Sequence, residues 1–261
     1  MKLPIYQVDA FSNKLFSGNP AAVCPLETWL PAETMQQIAA ENNLAETAFF
    51  VKNGEHYDLR WFTPAMEVDL CGHATLATAH ILFQHLNYVA KEICFQTRVG
   101  ELTVKRDGDW YTMNFPTDDI KLVESPPENL LKALNIEPVV IYVGREDYLV
   151  IVDSQEVVEQ CFPDFKLLAS IGGRGVIVSA AGKDVDFVSR GFFPAAGIDE
   201  DPVTGSAHTT LVPYWTKQLG KRMMTAQQIS QRSGFLKCKY LEERVELSGQ
   251  AVTYLQGEIY V

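Results

Sequence analysis

The residues that could move a proton or hold a polar substrate fall in three short segments of the sequence. They are Glu46, Cys71, His73, Asp201, Thr204, Ser206 and His208. Glu46 precedes the apolar run 47–51, and a carboxylate shielded from water by such a run can both take and give a proton near neutral pH. A solvated residue in a helix-to-strand turn is the alternative interpretation, and the position alone favours it.

Two glycine-containing turns, 69–75 and 201–207, each come directly before a segment with helical spacing. Glycine lets backbone N–H groups approach a ligand, and the start of a helix offers unpaired donors and the positive end of its dipole. Plain helix capping explains one such turn, but the recurrence favours a site for a carboxylate. Gly72, Gly205 and Ser206 are therefore predicted to hold a substrate acid.

The other side chains at these turns keep two interpretations each. His73 could carry a proton, or it could cap the helix. Asp201 could orient a histidine or a substrate amine, or it could simply begin the turn before Pro202. Cys71 could be a thiolate at a helix start, although a small buried apolar residue is slightly favoured. His208 is interpreted as a packing residue.

Both turns belong to an internal repeat. Residues 60–65 (RWFTPA) match 190–195 (RGFFPA), residues 71–74 (CGHA) match 204–207 (TGSA), and residues 98–102 (RVGEL) match 232–236 (RSGFL). The three offsets, 130, 133 and 134 residues, are nearly constant and in order. Chance explains any one short match, but three in register favour a duplication.

Each half of the chain combines strand-like alternation with one long helix, predicted at 72–86 in the first half and 206–219 in the second. Helices are too few for a doubly wound sheet. We therefore predict an α+β fold of two similar halves with a cleft between them. Residues 1–116 form the first half, into which the C-terminal strand can cross over, and residues 128–261 form the second.

The composition excludes several classes of protein. Acidic residues outnumber basic ones 33 to 22, and the net charge of −11 argues against nucleic-acid or anionic-membrane partners. The five cysteines are scattered, which argues against disulfides and a structural zinc site. No signal peptide and no run of eighteen apolar residues is present, so we expect a cytoplasmic protein.

Six segments in order closely resemble the PhzF-like isomerase family of phenazine biosynthesis. They are 8–11 (VDAF), 18–23 (GNPAAV), 44–49 (LAETAF), 62–64 (FTP), 71–74 (CGHA) and 201–207 (DPVTGSA). The resemblance implies a diaminopimelate epimerase-like fold, in which each half is a β-barrel-like sheet wrapped around a central helix. It also implies a homodimer without metal or organic cofactor. The characterised chemistry of the family is a proton shift in a cyclic dihydro-hydroxyanthranilate.

Carried over residue by residue, the resemblance assigns roles to the two turns. Glu46 matches the general acid/base of the family, Gly72 and His73 match its first turn, and Asp201, Gly205 and Ser206 match its second. Two departures leave the substrate open. Ala45 stands where the phenazine enzyme has Ser, and 71–74 reads CGHA where that enzyme has AGHP.

The leading hypothesis is a cofactor-independent isomerase that acts on a small carboxylic acid. Glu46, His73 and Asp201 are its predicted catalytic residues, and Gly72, Gly205, Ser206, Cys71 and Thr204 its predicted substrate-binding residues. A racemase that uses Cys71 is one alternative. The racemases of this fold have a cysteine in each half, whereas Thr204 stands at the second position and a hydroxyl is a poor base. A binding protein for small acids without catalysis is the other alternative.

Overall fold

The structure is a computed structural model that describes all residues from 1 to 261. It contains six α-helices, eighteen strands and one short 3-10 helix. The chain divides into two compact units, 1–114 together with 248–261, and 115–247. The C-terminal strand therefore belongs to the first unit.

The first unit carries two helices among its strands. In chain order its elements are β1 (Lys2–Ala10), β2 (Asn19–Leu26), α1 (Ala32–Asn42), β3 (Glu46–Asn53), β4 (His56–Phe62), β5 (Glu67–Val68), α2 (Gly72–Gln84), β6 (Glu92–Thr97), β7 (Gly100–Asp107) and β8 (Trp110–Pro116), which ends across the boundary. The last strand of the chain, β18 (Ala251–Tyr260), pairs antiparallel with β1.

The second unit carries four helices. Its elements are β9 (Lys121–Leu122), α3 (Glu128–Leu134), β10 (Val140–Val143), β11 (Asp147–Ile151), α4 (Gln155–Glu159), α5 (Phe165–Leu168), β12 (Gly175–Ala181), β13 (Phe187–Phe193), the 3-10 turn Pro194–Ala196, β14 (Ile198–Asp201), α6 (Gly205–Leu219), β15 (Met223–Gln228), β16 (Gly234–Tyr240) and β17 (Arg244–Gly249), which ends across the boundary.

The strand pairings repeat from one unit to the other. In the first unit β2 pairs parallel with β3, β3 antiparallel with β4, β4 parallel with β6, and β6 antiparallel with β7. In the second unit β11, β12, β13, β15 and β16 follow the same series of parallel and antiparallel pairs. The predicted α+β fold with two similar halves is therefore confirmed.

The repeated Arg-x-Phe-x-Pro-Ala segment has a structural reason, because its arginine makes the same ion pair in each unit. Arg60 donates from Nε and Nη2 to the carboxylate of Glu67, at 2.7 and 2.9 Å. Arg190 makes the same two-pronged contact with Glu200 at the same distances. A planar guanidinium matches a carboxylate in this way, so each pair fixes the strand that leads toward the central helix of its unit.

Helix α2 is the core of the first unit. Every residue from His73 to Phe83 is buried, and the helix packs against β1, β2, β3 and β18. The hydroxyls of Thr75 and Thr78 donate to the carbonyls of Cys71 and Ala74 at 2.6 and 2.7 Å. The hydroxyls of these two buried threonines are thus satisfied within the helix, as burial requires.

Helix α6 takes the corresponding place in the second unit and contains a proline without breaking. Pro213 has no N–H, so the carbonyl of Thr209, four residues earlier, lacks its helical donor. The backbone N–H of Asp118 donates to that carbonyl at 3.2 Å. The helix ends at Gly220, whose φ of +66° suits glycine. The sequence predicts this helix and its end closely, and no helix of the protein has the length and apolar character needed to span a membrane.

Other predicted elements need correction. The sequence suggests a continuous strand over 93–106, but the structure divides it into β6 and β7 around a turn at Arg98 and Val99. The sequence analysis assigns no element to β2 or β15, and both are central strands. Prolines interrupt β2 and polar residues fill much of β15, so neither shows a clear strand pattern.

The central helix yields a prediction about stability. Leu76 on α2 is completely buried, so Leu76→Ala should lower the free energy of unfolding by about 2–5 kcal/mol. Leu86, just after α2, is 40% exposed, and Leu86→Ala should cost less than about 1 kcal/mol. Urea denaturation measures both. Equal losses in the two variants would contradict the placement of α2 in the core.

Candidate active site

The first turn places Cys71 and His73 at the start of α2. Cys71 has an extended backbone, with φ −144° and ψ 110°, and its side chain does not cap the helix. Helix α2 begins at Gly72, as the sequence predicts. The side chain of Cys71 therefore does not occupy the first backbone N–H groups of the helix. A site for an anion requires these groups to be available.

Glu46, His73 and Cys71 form one buried cluster. Glu46 is the first residue of β3, which pairs parallel with β2. Its Oε2 lies 3.1 Å from Nε2 of His73, and the side chains of the two residues are 13% and 7% exposed. Nδ1 of His73 faces Sγ of Cys71 at 3.5 Å. The solvated position that sequence alone favours for Glu46 is therefore wrong.

The contact between Glu46 and His73 is close but poorly aligned for a hydrogen bond. Neither Oε2 nor Nε2 has an aligned hydrogen-bond partner, although both atoms are fully shielded from solvent. We therefore describe the pair as an ion contact held by proximity. Groups left in this state are costly in a core, and they are common where a ligand completes the arrangement.

The cluster shifts the proton affinities of two of its members. Burial lowers the pKa of His73, but the thiol of Cys71 and the carboxylate of Glu46 outweigh it, so that the pKa of His73 is raised well above its usual 6.5. Burial, followed by the nearby Glu46 charge, raises the pKa of Cys71 to about 11. Near neutral pH these shifts favour a charged ring on His73 and a protonated thiol on Cys71.

The donor atoms of these three residues are of types that bind metal ions. One atom each from Glu46, Cys71 and His73 lies within 4.8 Å of the other two. However, the two ring nitrogens of His73 face different partners, Oε2 on one side and Sγ on the other. A single ion could therefore bond to only one of these nitrogens.

The second turn fixes Asp201 through Thr204 and Gln228. Oγ1 of Thr204 donates to Oδ2 of Asp201 at 2.5 Å. The amide of Gln228 accepts from the backbone N–H of Thr204 at 2.9 Å, and it donates to the carbonyl of Asp201 and to Oγ1 of Thr204 at 2.8 and 3.2 Å. The Thr204 hydroxyl thus already makes both a donor and an acceptor bond inside the protein, which leaves it poorly placed to act as a base.

Ser206 lies in the first turn of α6, and an arginine holds its hydroxyl. Nη2 of Arg174 donates to Oγ of Ser206 at 3.1 Å. The same guanidinium is bound by the buried carboxylate of Asp147 through Nε, at 3.0 Å, and through Nη2. Sequence alone does not point to Arg174, Asp147 or Gln228, because none of them lies in a segment with a recognisable motif.

His208 is a packing residue, as the sequence predicts. It is fully buried, its Nδ1 donates to the carbonyl of Thr204 at 2.8 Å, and its ring packs on Phe187. Burial lowers the pKa of His208 to about 4. The residue is therefore neutral at physiological pH.

Comparison with known protein families adds the decisive finding. Residues 8–257 match the family model of the phenazine biosynthesis-like proteins. The chain belongs to this family. An uncharacterized isomerase of Pseudomonas aeruginosa is 49% identical over 261 residues and covers all of both chains. The protein is accordingly an enzyme of the isomerase class.

Solved structures support both the family and its fold. A PhzF-family phenazine biosynthesis protein of Enterococcus faecalis superimposes with a TM-score of 0.97 at 46% identity, over all of both chains. A hydroxyproline epimerase of Agrobacterium vitis superimposes with a TM-score of 0.59 at 11% identity, over 99% of this chain and 92% of the other. The second match shows a shared fold with the epimerases.

The raised pKa of His73 predicts how stability depends on pH. A histidine whose pKa is higher in the folded state adds stability below its unfolded pKa of ~6.5, and the stability is lost as the pH rises through the folded pKa. Glu46→Gln removes the carboxylate that supports the imidazolium. Its cost in unfolding free energy should thus be on the order of 1–3 kcal/mol near pH ~6 and smaller near pH ~9.

Urea denaturation of the wild type and Glu46→Gln at both pH values measures this difference. The difference between the unfolding free energies of the two proteins at each pH removes the contributions of the remaining histidines, which are common to both. A cost that stays constant or grows with pH would show that His73 is not charged beside Glu46.

Proposed function

We propose that this isomerase moves a proton within a small, cyclic carboxylic acid without a cofactor, and that Glu46 is its general acid/base. The observation that carries the proposal is the buried contact between Glu46 and His73. A carboxylate at the end of a strand, shielded from water and held by an imidazolium, can take a proton from one carbon and return it to another.

His73 supports this chemistry in two ways. As an imidazolium it stabilises the ionised carboxylate of Glu46, which is the form that accepts a proton. After the transfer it can hold the neutral carboxyl in place until the proton is returned. The raised pKa of His73 supports this role, because the ring stays charged at the pH at which the base must work.

The second turn supplies the groups that hold the substrate. The hydroxyl of Ser206 and the first backbone N–H groups of α6, starting at Gly205, are suited to bind a carboxylate. Asp201, held by Thr204 and Gln228, offers a carboxylate for a positively charged or hydroxyl group of the substrate. In the first turn, Gly72 and Cys71 contribute to the binding of the reacting part of the molecule.

The proposed substrate class, compartment and assembly of the enzyme are inferred mainly from its family. A ring acid similar to dihydro-hydroxyanthranilate is the substrate class that the resemblance favours. All five cysteines are free thiols, which supports a reducing compartment such as the cytoplasm. A homodimer is the assembly that the family favours.

Deuterium exchange tests the proposed reaction. Dihydro-hydroxyanthranilate, proline and diaminopimelate are incubated in D₂O with the protein and followed by proton NMR. With wild type we expect deuterium to enter one acid or a double bond to move. Glu46→Gln should slow this by about 10²-fold to 10⁴-fold, because the proton carrier is lost.

Glu41→Gln is the matched control, because Glu41 is an exposed carboxylate on α1 near Glu46, and it should keep full activity. Circular dichroism confirms that both variants are folded. Exchange in Glu46→Gln at the wild-type rate would overturn the proposal. Saturable binding of an acid without exchange in wild type would favour the binding protein instead.

A second candidate function is a racemase in which Cys71 acts as a base. The 3.5 Å contact between Cys71 and His73 favours it, but the raised pKa of Cys71 keeps the thiol protonated near neutral pH. Cys71→Ser should therefore change the exchange rate by less than about tenfold, since a thiol that stays protonated does not act as the base and can be replaced by a hydroxyl. A loss as large as that of Glu46→Gln would identify the racemase.

A further inference from the structure

The glycines before β12 place Arg174 with unusual precision. Gly172 and Gly173 have φ angles of +80° and +79°, which side chains rarely adopt, and a Cβ on Gly173 would lie 2.9 Å from the carbonyl oxygen of Glu146. The backbone N–H of Arg174 donates to that same carbonyl at 2.7 Å. Arg174 is therefore held beside the start of β11, where Asp147 lies.

The guanidinium of Arg174 is anchored on several sides. The carboxylate of Asp147, which is 4% exposed, accepts hydrogen bonds from both Nε and Nη2 of Arg174. The ring of Phe193 lies 5.1 Å from the guanidinium carbon, and Glu146 approaches Nη1 at 3.4 Å. Asp147 faces Gly175 across the parallel pair of β11 and β12. The register of these two strands therefore places the Asp147 carboxylate beside Arg174.

Arg174 determines where the proton of Ser206 can point. A guanidinium only donates hydrogen bonds, so the 3.1 Å contact fills an acceptor position on Oγ of Ser206. The hydroxyl proton must therefore point away from Arg174, and no group of the protein accepts it. A hydroxyl held in this way is a donor that needs an external acceptor, and the first backbone N–H groups of α6 beside it favour an anionic one.

The internal repeat relates the position of Arg174 to that of Glu46. The antiparallel registers place Phe49 opposite Arg60 in the first unit and Val178 opposite Arg190 in the second. Counting back along the strands, Glu46 corresponds to Gly175, and Arg174 directly precedes it. Glu46 is thus the first residue of β3 and Arg174 directly precedes β12, and each places its charged group beside the first turn of the central helix of its unit.

We propose that Arg174, anchored by Asp147, is a positioning residue that holds the Ser206 hydroxyl as a donor to the carboxylate of the substrate. The proposal rests on the proposed function in one respect, that the substrate is an acid. In this proposal the first repeat carries the carboxylate that moves the proton, and in the second repeat Arg174 orients the hydroxyl that binds the acid.

A double-mutant cycle on ligand binding tests the proposal. The probes are anthranilate and its neutral amide, 2-aminobenzamide, and isothermal titration gives the dissociation constants. Arg174→Met and Ser206→Ala should each weaken binding of anthranilate by about 10-fold to 100-fold, and that of the amide by less than about 3-fold. The double variant should be little weaker than either single one, because the two residues act as a unit.

Two further variants separate positioning from charge and from folding. Arg174→Lys keeps the charge without the planar fork, and it should recover only part of the affinity. Arg145→Met, an exposed control with the same change in charge, should bind as wild type does. If Arg174→Met fails to fold because Asp147 is left unpaired, Asp147→Asn combined with Arg174→Met takes its place.

Three results would overturn the proposal: single effects that multiply in the double variant, equal losses for acid and amide, and no preference of the wild type for the acid. The outcome is separable from that of the proposed function. Coupling between Arg174 and Ser206 without Glu46-dependent exchange would leave the carboxylate site standing and remove the isomerase mechanism. Exchange without coupling would remove only the role of Arg174.

Discussion

The buried contact between Glu46 and His73 is the constraint on which the rest of the arrangement depends. A carboxylate removed from water is costly unless a positive group compensates it, and His73 is that group. The contact exists because β3 begins beside the first turn of α2, and α2 is held there by β1, β2, β3 and β18. The sheet and the central helix therefore serve to bring one carboxylate and one imidazole together out of water.

The duplication explains how the same scaffold supports two different tasks. Both units place a central helix within the same series of paired strands, and in both a charged residue at or just before the start of a strand reaches the first turn of that helix. In the first unit the charge is the carboxylate of Glu46, and in the second it is the guanidinium of Arg174. Thr204, where the related racemases have a cysteine, is used inside the protein to hold Asp201. In the proposed mechanism the first unit therefore supplies the base, and the second supplies the site for the acid.

The sequence predicts those parts of the fold and site that are encoded locally. The repeat, the central helices and the two glycine turns can be recognised from the spacing of residues along the chain. The end of α6 can be recognised from the residue type at position 220, a glycine. The contact between Glu46 and His73 cannot be recognised in this way. The two residues lie 27 positions apart in the chain, and they meet only because of how the strands pair. Arg174 and Gln228 reach the second turn from 32 and 24 residues away in the same manner. Strands such as β2 escape detection because prolines and small residues hide the alternation.

The central claim is that one carboxylate both removes and returns the proton. The most direct measurement is the fate of deuterium placed on the reacting carbon of the substrate, followed through a single turnover in ordinary water. Because Glu46 is shielded from water, we predict that part of the label appears on the carbon that receives the proton. A product whose new hydrogen comes entirely from water, formed equally fast by wild type and Glu46→Gln, would contradict the account.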